Sequence, residues 1–203
     1  MTLPFRLILA SASSARRDLL TRAGYDFDVI PANIDEPSGV SFCDPRTFVQ
    51  HTAWLKAAAV AGRLELEPSG CPTLVLSADT IGWLGDQVIG KPADRDDARR
   101  ILRQLSGREH ELWTGVCLWR RPGDWQVAWQ EVSRVFMRPM SDAELEIYLD
   151  SRQWEGCSGA YAIQEQNDPY IELRQGSLTN VIGLPMETCS MMLRWIASIS
   201  SHL

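Results

Sequence analysis

The stretch that most constrains the fold is residues 6–24, "RLILASASSARRDLLTRAG". Here an apolar run turns through small hydroxyl residues straight into a helix. "RLILAS" reads as a strand, Ser13 and Ser14 are N-cap types, and Gly24 is a good residue to follow the helix end. A strand feeding a helix this directly points to an α/β architecture. The first turn of that helix carries Arg16 and Arg17. A helix N-terminus is already the positive end of the dipole and has free N–H groups, so arginine is unfavourable there unless an anion lies beside it. The pattern predicts a phosphate site.

The rest of the chain continues the mixture. "FDVIPANIDE" reads as a strand and loop, and Asp44-Pro45 opens a helix expected to run to about Arg63. "TLVLSADT" is a short buried strand ending in polar residues, followed by a hairpin and loop in "GWLGDQVIGKP". Residues 93–108 form a strong amphipathic helix with Ala98, Ile101, Leu102 and Leu105 on one side, acids leading and arginines trailing. Two strands, "HELWTGVCLWRR" and "WQVAWQEVSRVFM", flank an Arg-Pro-Gly-Asp turn. Ser141 and Glu144 form a capping box for a short helix. "GAYAIQ", "YIELRQG" and "NVIGLP" are expected as short strands and loops, before a last helix over about 186–199. With 203 residues the chain is expected to be one domain, or one domain with two lobes, over residues 1–203.

Bulk properties exclude some functions. A net charge of −6 argues against general nucleic-acid binding, so an anionic ligand would need a locally basic cleft. The five cysteines (43, 71, 117, 157 and 189) make no C-x-x-C pair, and their odd number fits reduced thiols in the cytoplasm. No apolar run approaches the ~20 residues of a membrane span, so no membrane partner is expected. His51, His110 and His202 lack metal-ligand spacing, and neither a Walker A pattern nor G-x-G-x-x-G occurs. Ser11 and Ser13 suggest anion-binding hydroxyls, since no histidine is placed to activate them as nucleophiles.

The most informative count is lysine. The chain has 18 arginines and only two lysines, Lys56 and Lys91. Lys56 falls within the apolar face of its helix, on the side of Val49, Ala53 and Val60. Its stem either snorkels to solvent or carries an ammonium inward to a phosphate or carboxylate. Lys91 stands in "GKP", as a plain turn lysine or as a ligand-facing one. Asp79 and Thr80 end the "TLVLSADT" strand, where polar residues of α/β sheets commonly face a ligand crevice, or merely cap the turn. Asp35-Glu36 is a loop acid pair, either solvated or functional. Two separate carboxylates with cations nearby would suit Mg²⁺ on a triphosphate.

Taken in order, "LILASASSARRDLL", "IDE", "LSADTIGWLGDQVIGKP", "LSGREHELWTGV", "GAYAIQ" and "NVIGLP" resemble the Maf family of nucleoside triphosphate pyrophosphatases, over roughly residues 6–195. The resemblance implies a curved mixed sheet flanked by helices, in two lobes with a central cleft, similar to the inosine triphosphate pyrophosphatases. It implies cleavage of a nucleoside triphosphate to monophosphate and pyrophosphate with a divalent metal, Mg²⁺ or Mn²⁺, in a cytoplasmic protein, with a homodimer as a further expectation. The family's polar positions fall on Ser11, Arg16, Glu36, Lys56, Asp79 and Lys91, with Asp79 matching the proton acceptor. Arg16, with Ser11 and Ser13, would hold phosphate, Lys56 and Lys91 would meet the leaving pyrophosphate, and Glu36 and Asp79 would hold the metal. Thr80 and Gln164 fit the dTTP/UTP subgroup, whereas Ala15, at the third specificity position, fits neither that subgroup nor the 7-methyl-GTP one. A 7-methyl-GTP enzyme and a non-catalytic regulator of cell division are the rival readings.

Overall fold

The computed structural model describes residues 3–37, 44–65, 71–123, 125–163 and 168–200. Gln164, Cys43 and His202 lie outside them. The chain opens with β1 (Arg6–Leu9), α1 (Ser14–Arg22) and β2 (Asp28–Val29), then α2 (Pro45–Ala61). The middle holds β3 (Thr73–Leu84), β4 (Gln87–Ile89), α3 (Arg95–Leu105), β5 (Arg108–Arg121) and β6 (Gln126–Met137). After α4 (Asp142–Asp150) come β7 (Ile171–Gln175), α5 (Leu178–Ile182) and α6 (Met186–Ser200).

The strands build one open mixed sheet of seven, ordered β2-β1-β3-β5-β6-β7, with β4 added to β3. β1 is parallel to β2 and β3; the pairs from β3 onward are antiparallel. Strand alternation assigns the faces. Leu7, Leu9, Leu74, Leu76, Val116 and Leu118 pack under α1 and α6. Ile8, Val75 and Cys117 point the other way, against Ala53, Ala57 and Val60 of α2. A separate cluster joins α3 and α4 to Leu112, Val135 and Met137 at the far ends of β5 and β6. The helix starts follow their caps: Ser13 for α1, Asp44 with Pro45 for α2, Asp94 for α3, and a complete Ser141–Glu144 capping box for α4. Among the described residues no helix is long and apolar enough to cross a membrane, and Cys71, Cys117, Cys157 and Cys189 are free thiols.

Three expectations need correction. The strand expected to stop at Thr80 continues to Leu84, because β5 pairs with it without interruption from Thr73 to Trp83. Asp79 and Thr80 are therefore strand-interior. "NVIGLP" is not a strand: Ser177 accepts the N–H groups of Thr179 and Asn180 and starts α5, which ends at Gly183. The described part of "GAYAIQ", up to Ile163, lies in a 3-10 turn over Ser158–Ala160 and an irregular stretch after it. Gly159 and Ala160 both have positive φ there, which interrupts an extended strand.

Candidate active site

The site lies at a gap along one edge of β3. On that edge β1 covers Thr73–Leu76 and β4 covers Gly82–Leu84. Among the described residues no strand pairs with Ser77–Ile81 on that side. The last rung beside β1 is the Ala10 N–H on the Leu76 carbonyl, after which the chain leaves the sheet through Ser11 and Ser13 into α1. A crevice beyond the carboxyl end of a parallel strand is where open α/β sheets place ligands.

Two features bring Lys56 to this gap. Gly115, opposite Asp79 in the β3–β5 register, has no side chain, and the backbone of Val49 and Gln50 occupies the space a Cβ would need. Further along, the Ser77 hydroxyl donates to the Ala53 carbonyl at 2.6 Å. Val49 thus lies over the Asp79–Gly115 rung and Ala53 over Ser77, so α2 runs antiparallel to β3. Lys56 is one turn beyond Ala53. Long helical side chains lean towards the helix N-terminus, and this lean carries its ammonium back to Asp79. Lys56 Nζ lies 2.7 Å from Asp79 Oδ1 and 2.8 Å from Glu36 Oε1. The lysine and aspartate side chains are only 10% and 8% exposed, against 53% for Glu36. Burial alone would raise the Glu36 carboxyl. The hydrogen bond and charge of Lys56, with Lys91 and Arg16 behind it, outweigh that and hold it below its ordinary value.

Arg16 is fixed from three directions. Its Nε donates to the Gly183 carbonyl at 2.8 Å, one Nη to Ser11 Oγ at 3.2 Å and the other to Thr80 Oγ1 at 3.0 Å. A guanidinium has five N–H donors, so among the described residues two are left for another acceptor. Desolvation lowers its pKa, and the charges of Asp79 and Glu36 oppose that shift. Ser11 Oγ also accepts from the Ser13 N–H, and Ser13 Oγ caps α1 through the Arg16 N–H. The Thr80 hydroxyl, besides Arg16, meets Thr114 Oγ1 at 2.9 Å. Lys91 follows Gly90, whose carbonyl accepts the Gly159 N–H at 3.0 Å, and is exposed. Its charge acts on Glu36 and on Cys157, which places it at the rim. Ala15 stands in the first turn of α1 and presents only a methyl group.

Ser11, Ser13, Arg16 and Thr80 therefore form one hydrogen-bonded group and Glu36, Lys56 and Asp79 a second; Arg16 feels the charges of Asp79 and Glu36, and Lys91 that of Glu36. Sequence reasoning missed Gly115, Thr114, the Gly183 carbonyl and Ser158, whose hydroxyl donates to the Thr80 carbonyl at 3.0 Å. "NVIGLP" and "GAYAIQ" contain or adjoin two of these, but only as unassigned motifs. For a divalent cation the fitting donors are Glu36 and Asp79. They are hard oxygen ligands, and among the described residues no third acid, histidine or cysteine completes a protein cage. That donor set suits Mg²⁺ or Mn²⁺, which take one or two carboxylates plus water and substrate phosphate oxygens.

Fold and site together define an α/β protein with a gap at a strand edge, where a buried lysine bridges two acids. The comparisons narrow the class: a family model described as Maf-like protein matches residues 6–196, and the chain belongs to that family. It is 40% identical over 193 residues to a dTTP/UTP pyrophosphatase of Rhodopirellula baltica, covering 94% of this chain and 82% of the relative. It is 42% identical over 188 residues to one of Cereibacter sphaeroides, covering 92% and 93%. A Pelotomaculum thermopropionicum protein of the same name is 38% identical over 190 residues, covering 93% and 95%.

Proposed function

We propose that this protein hydrolyses dTTP and UTP to the nucleoside monophosphate and pyrophosphate, acting on cytoplasmic nucleotide pools as one enzymatic domain. The observation that carries the reading is the convergence of Arg16, Lys56, Glu36 and Asp79 at one gap in the sheet. It is supported by the relatives, which bear that substrate pair in their names.

The two spare donors of Arg16 and the capped N-terminus of α1 take phosphate oxygens. Asp79 accepts the proton of a water whose oxygen attacks the α-phosphorus. The bond from that phosphorus to the α–β bridging oxygen breaks, and its electron pair leaves with pyrophosphate. Lys56 and Lys91 meet the charge that develops there. Glu36 and Asp79 would hold a divalent cation, which when bound polarises phosphate oxygens. Thr80 acts by fixing Arg16, and Gln164 is assigned to the base. The test is pyrophosphate release from a panel of dTTP, UTP, 7-methyl-GTP, ATP and GTP with Mg²⁺ or Mn²⁺. The expected result is highest kcat/KM on dTTP and UTP. Preference for 7-methyl-GTP would overturn the substrate assignment, and binding without release would favour the non-catalytic regulator.

A further inference from the structure

We infer that Lys56 is the internal counter-ion of the acid pair, and that it makes the divalent cation and the nucleotide bind interdependently. The inference rests on the pyrophosphatase reading above. The ammonium lies 2.8 Å from Glu36 Oε1 and 2.7 Å from Asp79 Oδ1, so it holds the same two carboxylates that a divalent cation would use. The two cations compete for those oxygens.

The competition has a direction because the Lys56 and Asp79 side chains are almost wholly shielded from water. A buried ammonium whose acids are taken by another cation loses its compensation, which is strongly unfavourable. The site also contains Arg16 and Lys91, so a divalent cation arriving alone adds positive charge to three cations and two acids. A triphosphate reverses the balance by giving the displaced ammonium a new anion. Arg16 cannot serve this purpose, because Ser11, Thr80 and Gly183 fix its guanidinium. Lys56 can, because its charge rides on a flexible four-carbon stem. Linkage then requires that nucleotide and cation strengthen each other by the same factor.

The test is Mn²⁺ binding followed by the electron paramagnetic resonance signal of the free ion, with no nucleotide present. Lys56→Met is expected to bind Mn²⁺ about ten-fold more tightly than wild type, a coupling of ordinary size. Lys91→Met removes the same charge from the rim and is expected to change affinity much less. A Lys56→Met affinity equal to wild type, or an equal gain in both variants, would overturn the inference. A second measurement needs no variant. Wild-type affinity for α,β-imido-dUTP should rise about ten-fold with saturating Mn²⁺, after allowance for the Mn²⁺–nucleotide complex in solution. No rise would overturn it. Pyrophosphate release from dTTP is read separately. Turnover without the lysine effect sinks only this inference, and the lysine effect without turnover sinks only the hydrolase reading.

Discussion

Lys56 and Thr52 lie one helical turn apart on the same buried face of α2 and meet opposite fates. The lysine is compensated twice, whereas the Thr52 hydroxyl is fully buried with no hydrogen-bond partner among the described residues. A buried hydroxyl left unpaired costs roughly 1–3 kcal/mol. Thr52→Val keeps the shape and removes that cost, so it should stabilise the fold by about 1 kcal/mol. The thermal midpoint should then rise by about 2–4 °C for a chain of this size. A calorimetric midpoint unchanged or lowered would show that the hydroxyl is satisfied. At this scale the sequence was most legible where a residue was out of place. A lysine on an apolar helix face pointed either to solvent or to an anion, and Asp79 and Glu36 meet it. The arginine at a helix N-terminus pointed to an anion, and its guanidinium donates to neutral oxygens of Ser11, Thr80 and Gly183, with the charges of Asp79 and Glu36 acting on it. The partners of Arg16 and Thr80 were not legible. Gly183 is 167 residues from Arg16 and Thr114 is 34 from Thr80, and neither separation leaves a periodic trace in the sequence.

The decisive contact between elements is α2 lying directly on β5. Gly115 permits it, since a Cβ there would fall far inside van der Waals contact distance of the Val49 carbonyl. The obstacle is backbone, which cannot rotate aside as a side chain could. Gly115→Ala should therefore cost about 3 kcal/mol or more, the upper end for overpacking. It should also lift Lys56 from Asp79 and reduce turnover beyond what the lost stability explains. Urea unfolding and initial rates measured on the folded fraction check both. A variant within about 0.5 kcal/mol of wild type would refute this view of the helix–sheet contact. The helices were readable because caps and periodicity agree locally, as with Asp44-Pro45 and the Ser141–Glu144 box. The extent of β3 was not, because "IGWL" after Asp79-Thr80 resembles the start of a hairpin until its pairing with β5 is known. The α5 segment was misread for a similar reason: its five residues are too few to show a helical period.

Across the whole molecule the sheet joins the gap beside β3 to a second core, and one buried histidine makes that core sensitive to pH. His110 is 3% exposed and its Nε2 lies 2.8 Å from the Tyr161 hydroxyl. Burial pushes its pKa down to about 4, partly opposed by a backbone hydrogen bond to Arg108. The unfolded chain therefore binds the proton first. The stability this neutral histidine allows is complete above about pH 6.5 and is lost as pH falls towards 4, by roughly 3 kcal/mol over that window. His110→Gln should flatten the dependence of urea-unfolding free energy on pH between 7 and 4. A variant with the wild-type slope would assign the sensitivity to other groups. The α/β class and the motif order could be read from the chain, but the gap in the β3 edge could not, since it is set by where β1 stops and β4 begins. The proposed hydrolysis turns on Asp79 inside that gap. The most direct test is the rate of pyrophosphate release from dTTP by Asp79→Asn, with folding checked by its thermal midpoint. The account predicts a folded variant with turnover reduced by at least ~10²-fold, and near-normal turnover would contradict it.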